Sequence, residues 1–428
     1  MKVLVLANGG KAHAILWKLS QSSAVTGLYT TCNIPALKEL AEFVDIREDD
    51  TKNLVEFIKT EEIGLTVVES ETAIVSGIAD ILRAEDLPVF GAGVNASKIE
   101  KNQNFAKKFF HKFKIPTAHF GTFDKESQAI DHARKAQYPL VVKFDRRSAG
   151  SGTMICESFS QAKSAIQYCL NNLYKPIIIE DFLIGRHVTF HVVSDGYNAL
   201  PLSSAMVYKK SETGNGGHMT EGMGAYAPVN FLDGKLEEKI AHKIFFPLID
   251  GLNAEKITFP GVIKANIIID DKDEPYLTGV NVSFGDPEAQ TILPLLNEDL
   301  FAVMYSAAIG AFSDDYELLN LSEESSVCVT LTSAGYPIKF KKGDVIEGLD
   351  EIDDDSTLVF HSSTSKNIYG ETISNGGRIL SVVSVASTIH RARSLAYEAA
   401  DLIEFDGKKY RKDIAKPRVF EETTSSKK

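Results

Sequence analysis

The chain has 428 residues, a formal net charge of −12, 44% hydrophobic and 24% charged residues, so it exceeds one core and is expected to form about three compact units. The acidic balance, without a Lys/Arg-rich block, argues against a nucleic-acid partner or an anionic membrane, and no apolar run is long enough to span a bilayer. Cys32, Cys156, Cys169 and Cys328 lie far apart without metal-ligand spacing, and Met1 leads straight into a strand, so a cytoplasmic protein with reduced thiols and no signal peptide is expected.

Val3 to Leu6 reads as a short strand, followed by Asn8-Gly9-Gly10 and an amphipathic helix carrying Trp17. A strand, glycine turn and helix gather free amides at an anion site, although a plain tight turn has the same signature. Leu65 to Val68 repeats the strand, Ser70-Glu71-Thr72 opens a helix with capping residues, and Val89 to Gly91 is a further strand. This alternation predicts a doubly wound parallel sheet with ligands at the strand ends.

Lys101 to Lys114 has Phe105, Phe109, Phe110 and Phe113 at helical spacing, which predicts one helix packed by its aromatic face. Leu140 to Lys143 is an apolar strand, and Ser148 to Gly152 is a glycine-rich turn able to fold over phosphates while Lys143 neutralises charge. Arg146 and Arg147 beside it suit a solvated hairpin tip.

Asn266 to Ile269, the acidic turn Asp270 to Glu274 and the run Leu277 to Gln290 (LTGVNVSFGDPEAQ) predict a hairpin whose outgoing strand carries a site. Asn281, Asp286 and Glu288 bring amide and carboxylate oxygens together, Gly285 permits a sharp turn, and Pro287 stiffens it. A hairpin with a merely polar loop is the alternative. Several short strands and a helix from Thr388 to Leu402 complete an α+β C-terminal part, and Glu421 to Lys428 suits a disordered tail.

The stretch at Asn281 to Gln290 resembles the EFNxRFGDPExQ signature of phosphoribosylamine–glycine ligases, ATP-grasp enzymes of purine synthesis. Asn281, Phe284, Gly285, Asp286, Pro287, Glu288 and Gln290 match, whereas Gly279 replaces the family's metal-binding Glu and Ser283 its Arg. Further matches are Asn8-Gly9-Gly10 and His13-Ala14 in the first loop, Gly222-Met223-Gly224-Ala225-Tyr226, and Asn375-Gly376-Gly377-Arg378.

The resemblance implies an N-terminal doubly wound domain over 1–102, and an ATP-grasp domain over 103–326 with its small nucleotide lobe near 117–190. It also implies a C-terminal α+β domain over 327–420. It places Asn8, Gly9, Gly10, Glu71, Gly224 and Tyr226 on the sugar substrate, and Asp286, Glu288 and Arg378 at the reacting centre. Lys107, Lys143, Gly150, Gly152, Glu180, His187 and Lys264 fall on the nucleotide side. Gln103, Ser151, His187, Gly279 and Ser283 depart from the family there, and Asn281 is left as a weak metal ligand.

ATP therefore remains a cofactor candidate while Mg²⁺ is doubtful. Lys264, helped by Lys143, is expected to fill the space of the ion. The main expectation is a ligase-like protein with reduced or lost activity, acting as a binding or scaffolding protein for a protein partner. The alternative is an active ligase joining glycine to phosphoribosylamine through a glycyl phosphate.

Overall fold

In the computed structural model, which describes residues 1–145, 152–172 and 174–416, the N-terminal segment forms a parallel sheet. Its strands are β1 (Lys2–Leu6), β2 (Gly27–Thr30), β3 (Glu42–Phe43), β4 (Ile63–Val68) and β5 (Val89–Gly91), in the order β3-β2-β1-β4-β5. Val3, Leu4, Val5 and Leu6 are all fully buried, as expected for a parallel strand covered on both faces. Each such side chain contributes roughly 1.5–3 kcal/mol of hydrophobic stabilisation. Strand order reverses between β1 and β4, so the turns that follow them lie side by side: the amides of Glu69 and Ser70 both donate to the Leu6 carbonyl, at 2.8 and 2.9 Å. A crevice at the carboxyl ends of the strands belongs at such a reversal.

The helix expected from Lys101 to Lys114 is present as Gln103–Lys112, while Lys101 ends a preceding helix, Val94–Lys101. Asn102 separates the two, because its side chain accepts the Phe105 amide at 2.7 Å and starts the second helix as an N-cap. Beyond lies a small antiparallel sheet of β6 (Phe120–Phe123), β7 (Leu140–Phe144), β8 (Thr153–Cys156) and β9 (Ile177–Asp181), ordered β6-β9-β7-β8. It has a core of its own, built on Leu140, Val142, Ile166, Ile177 and Ile179.

The largest sheet contains β10 (Arg186–Ser194), β11 (Ala199–Val207), β12 (Gly224–Ala227), β13 (Gly261–Ile269), β14 (Pro275–Asn281), β15 (Ser325–Thr332), β16 (Thr357–His361) and, after the small pair β17 (Thr364–Lys366) and β18 (Thr372–Ser374), β19 (Arg378–Ala386). The order is β14-β13-β10-β11-β12-β15-β19-β16, so the C-terminal strands extend the central sheet through the β12–β15 pairing. The helix Ile389–Leu402, capped by Thr388, buries Ala392, Ala396, Ala399 and Ala400. The Gly91 amide donates to the Pro260 carbonyl at 2.7 Å, which ties the edge of the parallel sheet to the start of β13. Among the described residues no helix is long and apolar enough to cross a membrane.

Gly224 explains one of the sequence matches by packing. Its φ is +149°, and a Cβ there would lie 2.5 Å from the Cys328 carbonyl oxygen across β12 and β15. Gly224→Ala is therefore expected to cost about 3 kcal/mol in chemical denaturation, through backbone displacement. Gly310→Ala, at φ +78° but with open space around it, should cost only about 1 kcal/mol.

Candidate functional site

The hairpin expected from the sequence is β13–β14, with Lys264 opposite Asn281 and Asn266 opposite Gly279. The chain then turns through Val282 to Glu288, and neighbouring elements hold that turn on every side. Glu100 Oε2 accepts the Val282 amide at 3.0 Å, and Glu69 Oε2 accepts the Phe284 amide at 2.8 Å. Lys11 Nζ donates to the Phe284 carbonyl at 3.1 Å, while the Lys11 amide donates to Asp286 Oδ2 at 3.3 Å. Asp286 Oδ1 accepts from Arg378 Nη1 at 3.1 Å and from Gln290 Nε2 at 2.8 Å. Arg378 also grips the Asp286 carbonyl at 2.7 Å and Glu221 at 2.8 Å.

Asp286 and Arg378 are thus brought together at the edge of the glycine turn. Gly9, at φ +67°, would carry a Cβ 3.4 Å from Asp286 Oδ2, and a Cβ on Gly10 would strike Gln290 and Ser362. These glycines serve the close approach of the N-terminal helix to the Asp286 turn.

Glu288 lies elsewhere than expected. It is 1% exposed and paired with Lys264, itself 7% exposed, at 2.9 Å, so it does not open into a cleft. Burial pushes its carboxyl up, but the Lys264 ammonium and then His191 and Lys209 more than offset this and hold it at about 2. His191 is fully buried, donates Nδ1–H to the Ser203 carbonyl at 3.3 Å, and stacks against Phe284. Burial lowers its imidazole to about 4, with Glu288 opposing and Lys264 assisting. Burial, and then Lys264, also lower Lys209.

The expectation that Lys264 and Lys143 share the space of an ion is corrected. Lys264 turns to the buried carboxylate of Glu288, which needs a counter-charge. Lys143 belongs to a second cluster, in which Glu180 pairs with Lys143 at 2.7 Å and with Lys107 at 2.5 Å. All three residues are buried. Lys143 also donates to the Thr278 carbonyl at 3.1 Å, joining the small sheet to β14, and Lys107 donates to Thr117 Oγ1 at 2.6 Å. Burial lowers Lys107, Glu180 opposes this, and Lys143 adds to it.

Asn281 Oδ1 accepts Asn266 Nδ2 at 3.0 Å, and Asn266 Oδ1 is buried without a hydrogen-bond partner. Gly152 stands at φ +58°, whereas Gly150, Ser151 and the arginines before them lie outside the described residues. His187 is exposed on β10, opposite Ile268. Tyr226 and Gly224 are buried in β12, and Tyr226 packs near Tyr208 in the core.

At the N-terminal lip, Glu71 is not drawn into the crevice. As the first residue of its helix it points outward, three-quarters exposed, and pairs with Lys101 at 2.5 Å. The inward carboxylate is Glu69, fully buried and 3.6 Å from Lys11 Nζ; burial raises its carboxyl, opposed by Lys11 and by the Phe284 amide. Asn8 meets Glu48, a residue that no motif in the sequence singled out, as are Glu69 and His191. Their only sequence signal was position, Glu69 directly after a strand and His191 inside one.

Three family models match along the chain: the phosphoribosylglycinamide synthetase N domain over residues 1–100, its ATP-grasp (A) domain over 101–289 and its C domain over 326–417. The chain is 36% identical over 420 residues to a phosphoribosylamine–glycine ligase of Neisseria meningitidis serogroup B, covering 97% of this chain and 99% of that one. It is 34% identical over 419 residues to that of Brucella melitensis biotype 1, covering 97% of each. The crystal structure of phosphoribosylamine–glycine ligase from Thermotoga maritima superposes with a TM-score of 0.83 at 25% identity, covering 96% of this chain and 100% of that one. A biotin carboxylase complex from Campylobacter jejuni shares the fold, with a TM-score of 0.70 at 14% identity over 95% of this chain and 92% of that one.

Two outcomes follow from the buried charges. Lys264→Met strands the Glu288 carboxylate and should cost about 3–5 kcal/mol by chemical denaturation, most of it recovered when Glu288→Leu is added. His191 is ordinarily half-protonated at 6.5 but is held at about 4 when folded, so the unfolded chain takes the proton first. Stability should therefore fall as pH drops from about 6.5 to about 4, by up to roughly 3 kcal/mol from this residue. His191→Asn should flatten part of that slope in a pH series of melting curves.

Proposed function

The chain belongs to the phosphoribosylglycinamide synthetase family, and from that premise we propose that it is an ATP-dependent ligase joining glycine to phosphoribosylamine. One observation carries this reading: Asp286 stands at the glycine turn of the parallel sheet, fixed by Arg378, Gln290 and the Lys11 amide. Such fixing from several sides is what alignment of two reactants demands. ATP phosphorylates the glycine carboxylate, and the sugar amine then attacks the acyl carbon, releasing phosphate as the carbon–nitrogen bond forms. Lys107 and Lys143 converge on one carboxylate, Glu180, and this cation pair is the part of the chain suited to neutralise phosphate oxygens. Arg378 holds Asp286 against the substrate amine side, and the buried Lys264–Glu288 pair stiffens the turn behind it.

The metal position is different. Among the described residues it offers the carboxamides of Asn266 and Asn281, already joined to each other, and Gly279 where a carboxylate would be needed. Hard divalent ions favour carboxylate oxygens, so this donor set does not fit Mg²⁺ well. That mismatch favours a second reading, a family member with reduced or lost ligation.

The readings separate in an ADP-release assay with glycine and phosphoribosylamine formed in situ from ribose 5-phosphate and ammonia. The ligase reading expects ADP only when ATP, glycine and the sugar amine are all present. No ADP above background, together with silence in titrations at millimolar Mg-ATP, would establish the second reading instead. Among the described residues, a Cβ at position 279 meets only Asn266 Nδ2, at 3.7 Å, so they leave room for Gly279→Glu. It should lower the Mg²⁺ concentration needed for half-maximal ADP release by about tenfold, equivalent to about 1.4 kcal/mol.

A further inference from the structure

Glu48 follows β3 and reaches back across β2 to the reversal point of the parallel sheet. There its carboxylate accepts from three separate strand-end loops. Ser70 Oγ, after β4, donates at 2.5 Å; Thr31 Oγ1, after β2, at 3.1 Å; and Asn8 Nδ2, after β1, at 3.3 Å. Ser70 is itself fixed, since its Oγ also accepts the Ala73 amide at 3.0 Å and caps the following helix. A carboxylate has about four lone-pair directions, so three anchoring bonds leave acceptor capacity while fixing both oxygens.

Glu48 remains only partly buried. It binds the Asn8 side chain, whereas Asp286 accepts the Lys11 amide after the same turn. The nearby Lys11 ammonium is turned inward, to the Glu69 and Phe284 carbonyls, and does not neutralise Glu48. This lip of the crevice therefore selects groups that donate hydrogen bonds, such as hydroxyls and amines, and disfavours a phosphate. The hydroxyls of Ser70 and Thr31 add oxygens that can accept from the same ligand.

We propose that Glu48 is a specificity-determining residue that accepts hydrogen bonds from the ribosyl hydroxyls of the substrate. This rests on the ligase reading for the identity of the sugar. A pre-anchored acceptor discriminates well, because an analogue lacking the hydroxyl leaves it without its donor.

The test is calorimetric titration of the full chain with ribose 5-phosphate and with 2-deoxyribose 5-phosphate. The parent should bind the ribose form about tenfold more tightly. Glu48→Gln and Glu48→Ala should weaken ribose 5-phosphate about tenfold and erase the preference, with the melting temperature and the KM values for ATP and glycine unchanged. Thr31→Val, which loosens the anchor without removing charge, should erode the preference severalfold. Tighter binding of ribose 5-phosphate by Glu48→Gln would mean that the crevice takes the phosphate, and would overturn the proposal. A parent that binds neither sugar, or both equally, would overturn it too. If ADP release persists in that case, the ligase reading stands alone; sugar discrimination lost at Glu48 without any ADP release would sink the ligase reading and leave the sugar site.

Discussion

The turn from Val282 to Glu288 is gripped at every second residue, and the three parts of the chain meet through those grips. Glu100 and Glu69, from the N-terminal segment, take the amides of Val282 and Phe284. Arg378, from the C-terminal segment, takes Asp286, and Lys264 on the adjacent strand takes Glu288. Each grip involves a charged partner, which makes it stronger than a neutral hydrogen bond. Displacing the turn would strand several buried charges at once, so the geometry of the crevice and the folding of the sheet are one constraint.

Two buried charge clusters flank this turn, and they differ in kind. In the small-sheet cluster, Glu180 sits between two ammonium groups, leaving a formal excess of positive charge there. Behind the turn, Lys264 and Glu288 form a closed pair with His191 and Lys209 around them. Ion pairs this deep contribute little net stability once desolvation is counted, but they punish any change to one partner. The first cluster keeps an unbalanced cation, whereas the second is matched to itself. The Lys264 charge therefore maintains the turn and is not available to stand in for a metal ion.

What could be read from the sequence follows a physical division. Strand and glycine-turn patterns announced β1, β4, β5 and the β13–β14 hairpin, because burial on a pleated surface leaves a local periodic trace. The aromatic spacing, which lies wholly after Asn102, announced the helix Gln103–Lys112 but not its exact start, which a single side-chain cap sets. Glu48 and Glu69 escaped notice because their roles depend on which strand ends lie adjacent, a property of sheet order and not of local sequence. Glu71 was favoured over Glu69 by motif alignment, but a helix-start side chain faces outward while the residue ending the strand faces the turn. Lys264 was expected to fill the space of an ion, yet its partner is a carboxylate from beyond the hairpin, Glu288.

The same division explains why retained motifs and altered motifs carry different information. Gly222 and Gly224 leave no room for a Cβ, the first against Pro287 and the second against the Cys328 carbonyl. Gly10 is likewise held by the approach of Gln290 and Ser362, and Gly9 by its φ of +67°. These positions resist substitution as long as the chain folds, whatever chemistry it performs, so their retention speaks for architecture. Gly279 is the opposite case: the space beside it is open, and a larger side chain would fit without strain. Packing does not demand glycine there, so the residue at 279 is free to answer to function alone. The same holds for Glu48, half-exposed and bound only through its carboxylate, where no core contact dictates the side chain. The chemistry of this member of the family is therefore written in the positions that the fold leaves unconstrained.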